Sequence, residues 1–360
     1  MRVNCLLKTI TKLLCTISVI LSAMTVCGCF SVTTPSMKED TEQVLAVAQY
    51  GTSTLLVSED GVAYIRGTSS GMANAEDYEA LHNGLKGEIF LRIYDRGDAT
   101  DCMLASGGGA VVTENGDVYV FTNDSAIKTP TYFASDTIKA LPEKNGVFLL
   151  GTDGGLRSAD YSAVGETGTA SDDTVRLLCE NIADFAYAPY TDELLCLTCT
   201  GELTVLDPSC GDTRVMAENI VHFDLRQTVD KSGGQDVVGS DVVCVDSMGQ
   251  VVWYSHRTLA DNSDVGLYAC FEHVRLTVDR APDEVAAVGS YDDGFALLAG
   301  DSMVVYGGDI TGRAELDGEV VRTGVSAFDF DSRAAAVIVN GRVEAFGHYL
   351  DDLHASFINR

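Results

Sequence analysis

The sequence predicts an all-β protein, a seven-bladed β-propeller of four-stranded antiparallel blades that follows an export signal. Three observations predict this fold. A unit of apolar strands and a glycine turn recurs seven times, with a period that is typical of propellers. The strands before these turns are apolar without alternation, as in sheets that are covered on both faces. The chain of 360 residues is 46% hydrophobic, which is enough to bury a large core.

The N-terminal segment has the three regions of an export signal. Three basic residues precede an uncharged, apolar run at residues 13–26. The segment ends in Val26-Cys27-Gly28-Cys29, which resembles the lipobox of bacterial lipoproteins. In that motif a small residue precedes the cysteine that is acylated and becomes the mature N-terminus. Val26 and Cys27 stand where the motif usually has a leucine and a small residue.

This resemblance implies a lipoprotein signal peptide at residues 1–28 and lipidation of Cys29. The mature protein would then be attached through its N-terminal lipid to the extracytoplasmic face of a bacterial cell membrane. An ordinary secretory signal or an uncleaved anchor is the alternative reading. Residues 29–43 are polar, with one proline and mixed charge, so we expect a flexible tether there. The predicted propeller occupies residues 44–360.

Seven units follow one another in the propeller region, and the fifth is interrupted by an insertion. They occupy residues 44–67, 99–123, 138–158, 182–206, 220–225 with 241–254, 285–308, and 325–347. Each unit contains two apolar strands, a glycine turn and a third strand. The turn glycines lie 38 to 55 residues apart and are Gly61, Gly116, Gly154, Gly201, Gly249, Gly300 and Gly341. Four of the turns contain an Asp-Gly or Asn-Gly pair, which predicts two-residue hairpins. Apolar stretches between units, at 89–93, 175–178 and 274–278, supply an outer fourth strand.

The repeats resemble the regulator of chromosome condensation repeat, in which an Asp-Gly turn is followed by Val-Tyr and a closing aromatic residue with glycine. The resemblance rests on residues 60–64, 116–121 and 341–347. The third, fourth and fifth units lack the closing aromatic-glycine pair. The resemblance implies a propeller fold, but not the nuclear nucleotide-exchange activity of that family. Trp253 is the sole tryptophan in the sequence, which disfavours tryptophan-aspartate repeats.

The net charge excludes one class of partner. The chain has 53 acidic and 24 basic residues, a formal net charge of −29. Such a surface repels phosphate backbones, so we expect no nucleic acid partner.

The long insertions are all predicted on one face of the ring. They follow the third strand of units one, three and five (68–86, 159–173 and 255–270) and the first strand of unit five (226–240). Loops on a rigid ring often carry recognition, and a tolerated surface insertion is the alternative. On the same face we predict the contact residues Tyr50, Tyr190 and Tyr291, with Asp192, Asp292 and Asp293 attracting a basic partner. The alternative is that these tyrosines cover blade edges.

The sequence offers no reactive motif in a suitable context. Residues 67–71 match G-x-S-x-G but follow a propeller strand and open a loop, and the six histidines lack metal-ligand spacing. We therefore predict no catalytic residue, no metal site and no cofactor. Seven cysteines remain after Cys29, an odd number for an oxidising location, so at least one stays unpaired within the chain or bonds elsewhere.

These observations predict a monomeric, non-catalytic module on the cell surface that binds a protein or an envelope polymer. Two alternatives stay open. One is an envelope hydrolase or lyase whose site lies in the central channel, where the first strands place Asp184, Asp224, Asp329 and Asp331. The other is a propeller-type inhibitor of a secreted enzyme.

Overall fold

The computed structural model describes residues 43–51, 53–66, 91–122, 130–161, 175–230, 236–259, 266–310, 315–331, 334–348 and 354–355. They form seven antiparallel sheets of four strands each, so the predicted fold is confirmed. The predicted signal peptide, Cys29, the tether up to residue 42 and the insertion at 68–86 lie outside the described residues, as does most of the insertion at 159–173.

Each blade is made of four consecutive strands, which we call A to D. Blades one and two consist of β1 (Val44–Tyr50), β2 (Ser53–Ser58), β3 (Ala63–Arg66), β4 (Leu91–Tyr94), β5 (Ala99–Ala105), β6 (Gly108–Thr113), β7 (Val118–Thr122) and β8 (Thr131–Ala134). Blades three and four consist of β9 (Thr137–Pro142), β10 (Gly146–Gly151), β11 (Leu156–Asp160), β12 (Val175–Cys179), β13 (Ile182–Ala188), β14 (Glu193–Thr198), β15 (Leu203–Leu206) and β16 (Thr213–Ala217).

Blade five consists of β17 (Ile220–Asp230), β18 (Val237–Asp246), β19 (Gln250–Leu259) and β20 (Val274–Asp279), with a 3-10 helix at Leu267–Glu272 before β20. Blades six and seven consist of β21 (Val285–Tyr291), β22 (Gly294–Ala299), β23 (Ser302–Gly308), β24 (Glu315–Thr323), β25 (Val325–Asp331), β26 (Ala334–Val339), β27 (Arg342–His348) and β28 (His354–Ala355). Within the described residues, no helix has the length and hydrophobicity needed to cross a membrane.

The core lies between neighbouring blades. All six residues of strand B are buried in blades one and two, as the unbroken apolar runs predict. One cluster packs blade three on blade four, and another packs blade seven on blade one. A blade therefore buries both faces only when it has a neighbour on each side.

Backbone hydrogen bonds close the ring on the face that carries the B–C turns, which we call the hairpin face. In five blades the carbonyl of the turn glycine accepts the N–H of the first residue of strand A of the next blade. In blade five the Gly249 carbonyl accepts the N–H of Arg280, in the link to blade six, and in blade six the Asp301 carbonyl takes the place of the glycine. One of these bonds joins the last blade to the first, because Val44 N–H donates to the Gly341 carbonyl at 2.8 Å. Strand order is consecutive in every blade, so no strand is shared between the first and last blades.

The turn geometry corrects part of the hairpin prediction. At Gly61, the glycine N–H donates to the Ser58 carbonyl and Ser58 N–H donates to the Val62 carbonyl, so the loop has three residues. The same pair of bonds occurs at Gly116, Gly154 and Gly201. Here only the glycine has positive φ, as in a type I turn with a bulge. Asn340-Gly341 is a two-residue hairpin, since both residues have positive φ and Val339 pairs with Arg342.

The insertions of blade five are largely strands rather than loops. β17 and β18 stay paired as far as Asp230 and Val237, and β19 continues beside β18 to Leu259. Buried and less buried residues alternate along β17 from Phe223 to Thr228, a pattern of period two that suits a strand with one covered side. The first three strands of blade five therefore extend beyond the corresponding described strands of the other blades, on the face that carries the A–B and C–D connections, which we call the loop face.

Candidate functional site

A cavity of about 820 Å³ opens on the loop face and is surrounded by the A strands or A–B turns of all seven blades. We call it the central cavity. Ten charged side chains line it, and seven of these are acidic. The acidic residues are Glu143, Asp224, Asp230, Asp292, Asp293, Asp329 and Asp331, and the basic residues are Lys139, Arg226 and Arg257. This excess of carboxyl groups favours the binding of a partner with a positively charged surface.

Arg226 joins two blades of the cavity wall that are separated by one blade. Its Nη1 lies 3.2 Å from Oδ1 of Asp331, which links blade five to blade seven, and both side chains are less than one-fifth exposed. Burial by itself would lower the pKa of Arg226. The charges of Asp331 and Asp224 outweigh that effect and hold the pKa above its usual value. Arg226 therefore stays charged and balances carboxylates from two blades.

The aspartates of the A strands bind the backbone of the next blade. Asp224 accepts hydrogen bonds from Ser290 N–H at 2.6 Å and from Ser290 Oγ at 2.8 Å. Asp329 accepts the Gln49 N–H at 2.7 Å, and burial raises the pKa of this carboxyl to about 6. Asp331 accepts the Gly51 N–H. These carboxylates tie adjacent A strands together, as charge-assisted bonds to backbone donors do.

Lys139 makes the corresponding contact between blades three and four. Its Nζ donates to Oδ1 of Asp184 at 2.6 Å and to the Phe185 carbonyl at 2.8 Å. All four aspartates that mark the channel in the sequence therefore have polar partners on a neighbouring blade.

Tyr50 and Tyr190 line the central cavity. Tyr50 ends β1 and is half-buried; burial and then the charge of Asp331 raise its pKa to about 12. Tyr190 is 54% exposed, and its backbone N–H donates to Oε1 of Gln227 at 3.0 Å. Tyr190 is thus an aromatic side chain held at the rim with its ring available to a partner.

The prediction that Tyr291 is a contact residue is wrong. This side chain is 0% exposed, its ring stacks on Phe330 with centroids 5.3 Å apart, and its hydroxyl donates to the Gly308 carbonyl at 2.7 Å. Gly294 pairs directly with Tyr291, and a Cβ at that glycine would lie 2.6 Å from the tyrosine ring. The missing side chain leaves space for the ring to pack between blades six and seven. Glycine three residues after the tyrosine was the available signal in the sequence.

The three predicted aspartates lie on the loop face but differ in their surroundings. Asp192 is exposed, with φ of 54°, and accepts the Tyr187 hydroxyl at 2.7 Å. Asp292 and Asp293 lie 3.7 and 3.8 Å from the guanidinium of Arg257. A basic partner must therefore compete with Arg257 at this pair, and also with Arg275 at Asp293.

Sequence reasoning missed Arg226, Arg257 and Glu143 as cavity residues. Both arginines lie in the blade-five segments that were expected to be loops. The period-two pattern of β17 could have placed Arg226 on a strand. Burial raises the pKa of Glu143 to about 7, so this group titrates near neutral pH. Among the described residues, no group of three or more His, Cys, Asp or Glu side chains is placed to hold a metal ion.

Comparison with known proteins shows the fold. No protein-family model matches the chain, and no curated protein matches it. The β-propeller domain of Cps50 (Swd1) from Myceliophteria thermophila has a TM-score of 0.56 at 10% identity, and the match covers 87% of this chain and 99% of that one. Prp20p from Saccharomyces cerevisiae, which was described with its binding to Gsp1p and histones, has a TM-score of 0.53 at 13% identity, with 86% and 83% covered.

A third structure is longer than this chain. PorZ, a surface component of the type-IX secretion system of Porphyromonas gingivalis, has a TM-score of 0.49 at 12% identity. The match covers 88% of this chain and 38% of PorZ. The likenesses to Cps50 and Prp20p show a β-propeller and carry no residue roles to this protein.

Proposed function

We propose that this protein is a non-catalytic binding module, with repeats of the regulator of chromosome condensation type, attached by a lipid on Cys29 to the extracytoplasmic face of a bacterial membrane. The partner is a protein or envelope polymer with a basic surface, and it binds the loop face over the central cavity. One observation carries this proposal: seven carboxyl groups and the exposed Tyr190 surround an open cavity of about 820 Å³. Aromatic side chains at such rims commonly anchor partners.

The partners of the cavity carboxylates favour binding over catalysis. A catalytic carboxylate needs lone pairs that are available to substrate. Asp224, Asp329 and Asp331 each use one carboxylate oxygen to accept a backbone N–H of the adjacent blade. Their arrangement supports a structural role at the channel wall. An envelope hydrolase or an inhibitor of a secreted enzyme remains the alternative function, and neither gains a specific residue set from the geometry.

The partner can be identified by cross-linking on intact cells, followed by mass spectrometry. Tyr190→Ala removes the exposed ring, and we expect at least a tenfold loss of captured partner with an unchanged melting temperature. Val320→Ala is the matched control, because Val320 is 58% exposed on the outer strand β24, away from the cavity. Capture that is equal for both variants would refute the assignment of this face.

The anchor is tested separately. Cys29→Ala should move the protein from the detergent phase to the aqueous phase, because the acyl chains supply the membrane affinity. Mass spectrometry of the wild-type N-terminal peptide should find an acylated Cys29. An unmodified N-terminus at another residue would contradict the anchor but leave the binding face untouched.

A further inference from the structure

Two cysteines of neighbouring blades face the same interface. Cys179 ends β12 in blade three and pairs with Leu156. Cys196 lies in β14 of blade four and pairs with Phe185. Directly paired residues project from the same face of a sheet. Leu156 and Phe185 both belong to the cluster that packs blade three against blade four, so the strand register directs both cysteines into that cluster.

Both thiols lie at this cluster. Cys196 is fully buried, and the half-buried Cys179 packs against the cluster. A hydrogen bond from the Cys196 thiol lowers the pKa of Cys179. The same contact, together with burial, raises the pKa of Cys196 well above its usual value. Cys179 is therefore the thiol of this pair that ionises more readily, and the thiolate is the reactive form.

Access from solvent separates Cys179 from the deeply buried thiols. Cys102, Cys244 and Cys270 are at most 4% exposed. Sγ of Cys270 donates to the Ser240 carbonyl at 3.2 Å, and burial raises the pKa of Cys270 to about 12. Cys179 instead combines partial exposure with a second thiol beside it, as pairs that undergo disulfide exchange do.

We propose that Cys179 and Cys196 form an oxidation site that closes into a disulfide bond between blades three and four. The oxidant is a disulfide, either a small molecule such as glutathione disulfide or a thiol-disulfide oxidoreductase. The Cys179 thiolate attacks one sulfur of the oxidant, forms a mixed disulfide and releases one thiol. Cys196 loses its proton and attacks the Cys179 sulfur, which releases the second thiol. Two electrons and two protons pass from the protein thiols to the oxidant.

The bond would tie the outer strand of blade three to the second strand of blade four. A cross-link of this kind restricts the unfolded chain and so stabilises the folded ring. The inference is independent of the proposed binding face, because neither cysteine lines the central cavity.

Glutathione disulfide is the probe for the test. The purified, reduced protein is incubated with it under native conditions in mildly alkaline buffer and then digested without reduction. We expect the loss of two hydrogen masses, a joined peptide pair that contains Cys179 and Cys196, and a melting temperature higher by about 4 °C that dithiothreitol reverses. Cys196→Ala should stop at a single glutathione adduct on Cys179.

Cys199→Ser is the matched control, because Cys199 is exposed and only three residues from Cys196. This variant should form the same cross-link as the wild type. A native protein that keeps both thiols, a bond from Cys179 to Cys199, or a cross-link that forms only in denaturant would overturn the proposal.

Discussion

In the wall of the central cavity, several carboxylates surround the guanidinium of Arg226. Its guanidinium contacts Asp331 and also faces Asp224 and Asp329, which belong to blades five and seven. Removing one partner of a buried pair leaves the others uncompensated, and this costs more than the pair itself contributes.

We therefore expect Arg226→Met to lower the free energy of unfolding by about 3 kcal/mol, as measured by urea denaturation. Arg92→Met is the control, since its pair with Asp95 spans 3.8 Å and its two side chains are 34% and 64% exposed, against 19% and 14% for Arg226 and Asp331. That change should cost less than about 1 kcal/mol. Equal losses in the free energy of unfolding would show that the charge network of the cavity stabilises the fold no more than the Arg92–Asp95 pair does.

The carboxyl group of Asp329, in the same cavity wall, makes the stability of the fold depend on pH. Burial raises its pKa from 3.8 to about 6, against the charge of Arg226 and the hydrogen bond from Gln49. The folded protein then holds one more proton than the unfolded chain between these pH values, so this carboxyl contributes less stability as the pH rises through that window. Asp329→Asn keeps an acceptor for the Gln49 N–H and removes the titration.

We expect the stability of Asp329→Asn relative to the wild type to increase from pH 4 to pH 7, by on the order of 2 kcal/mol. Urea denaturation at a series of pH values measures this difference. A difference that is flat across the window would contradict the raised pKa.

Among the structural elements, the B–C turns do more than reverse the chain. Gly61 has φ of 73°, and a Cβ there would lie 2.4 Å from the backbone carbon of Gly97. Its carbonyl also accepts the N–H of Ala99 in the next blade. Gly300 has φ of 62°, but nothing lies within 4 Å of a Cβ built there.

These two glycines form a matched pair for mutation. Gly300→Ala should cost about 1 kcal/mol, because only the left-handed backbone is strained. Gly61→Ala should cost about 3 kcal/mol, because the new methyl group also displaces the backbone of the link to blade two. Thermal denaturation monitored by circular dichroism distinguishes the two. Similar losses of stability would mean that backbone strain accounts for both effects and that the backbone near Gly97 moves aside at little cost.

The A strands share a β-bulge that the sequence did not reveal. In every blade the A–B register shifts at the second residue of strand A. The skipped residues are exposed, and they are Leu45, Thr100, Ile138, Ala183, Val221, Ala286 and Ser326. A bulge bends its strand and increases the local twist. It recurs beside the inter-blade hydrogen bonds, where each chain segment enters the ring.

For the whole molecule, the dominant electrostatic property is the net charge of −29. Self-repulsion of like charges opposes the compact state and is screened by salt. We expect the melting temperature to rise by several degrees between about 0.01 and about 0.2 M NaCl. Binding of a basic partner should weaken over the same range. A melting temperature that falls with salt would show that attractive surface pairs outweigh the repulsion.

The sequence by itself determined the three inner strands of each blade, apart from their extensions in blade five, the grouping into seven units and the positions of the turns, because these depend on local periodicity and on glycine. The tertiary structure decided which residues meet in the cavity wall. Arg226 and Asp331 are 105 positions apart, and Gln49 and Asp329 are 280 apart, so their contacts exist only once the ring has closed. It also decided the burial of Tyr291: Tyr50 and Tyr291 both end A strands, but Ser53 lies opposite Tyr50, whereas Gly294 lies opposite Tyr291 and leaves room for its ring to stack on Phe330. Local patterns specify which residues form a strand, whereas packing across blades decides which side chains have room to turn inward.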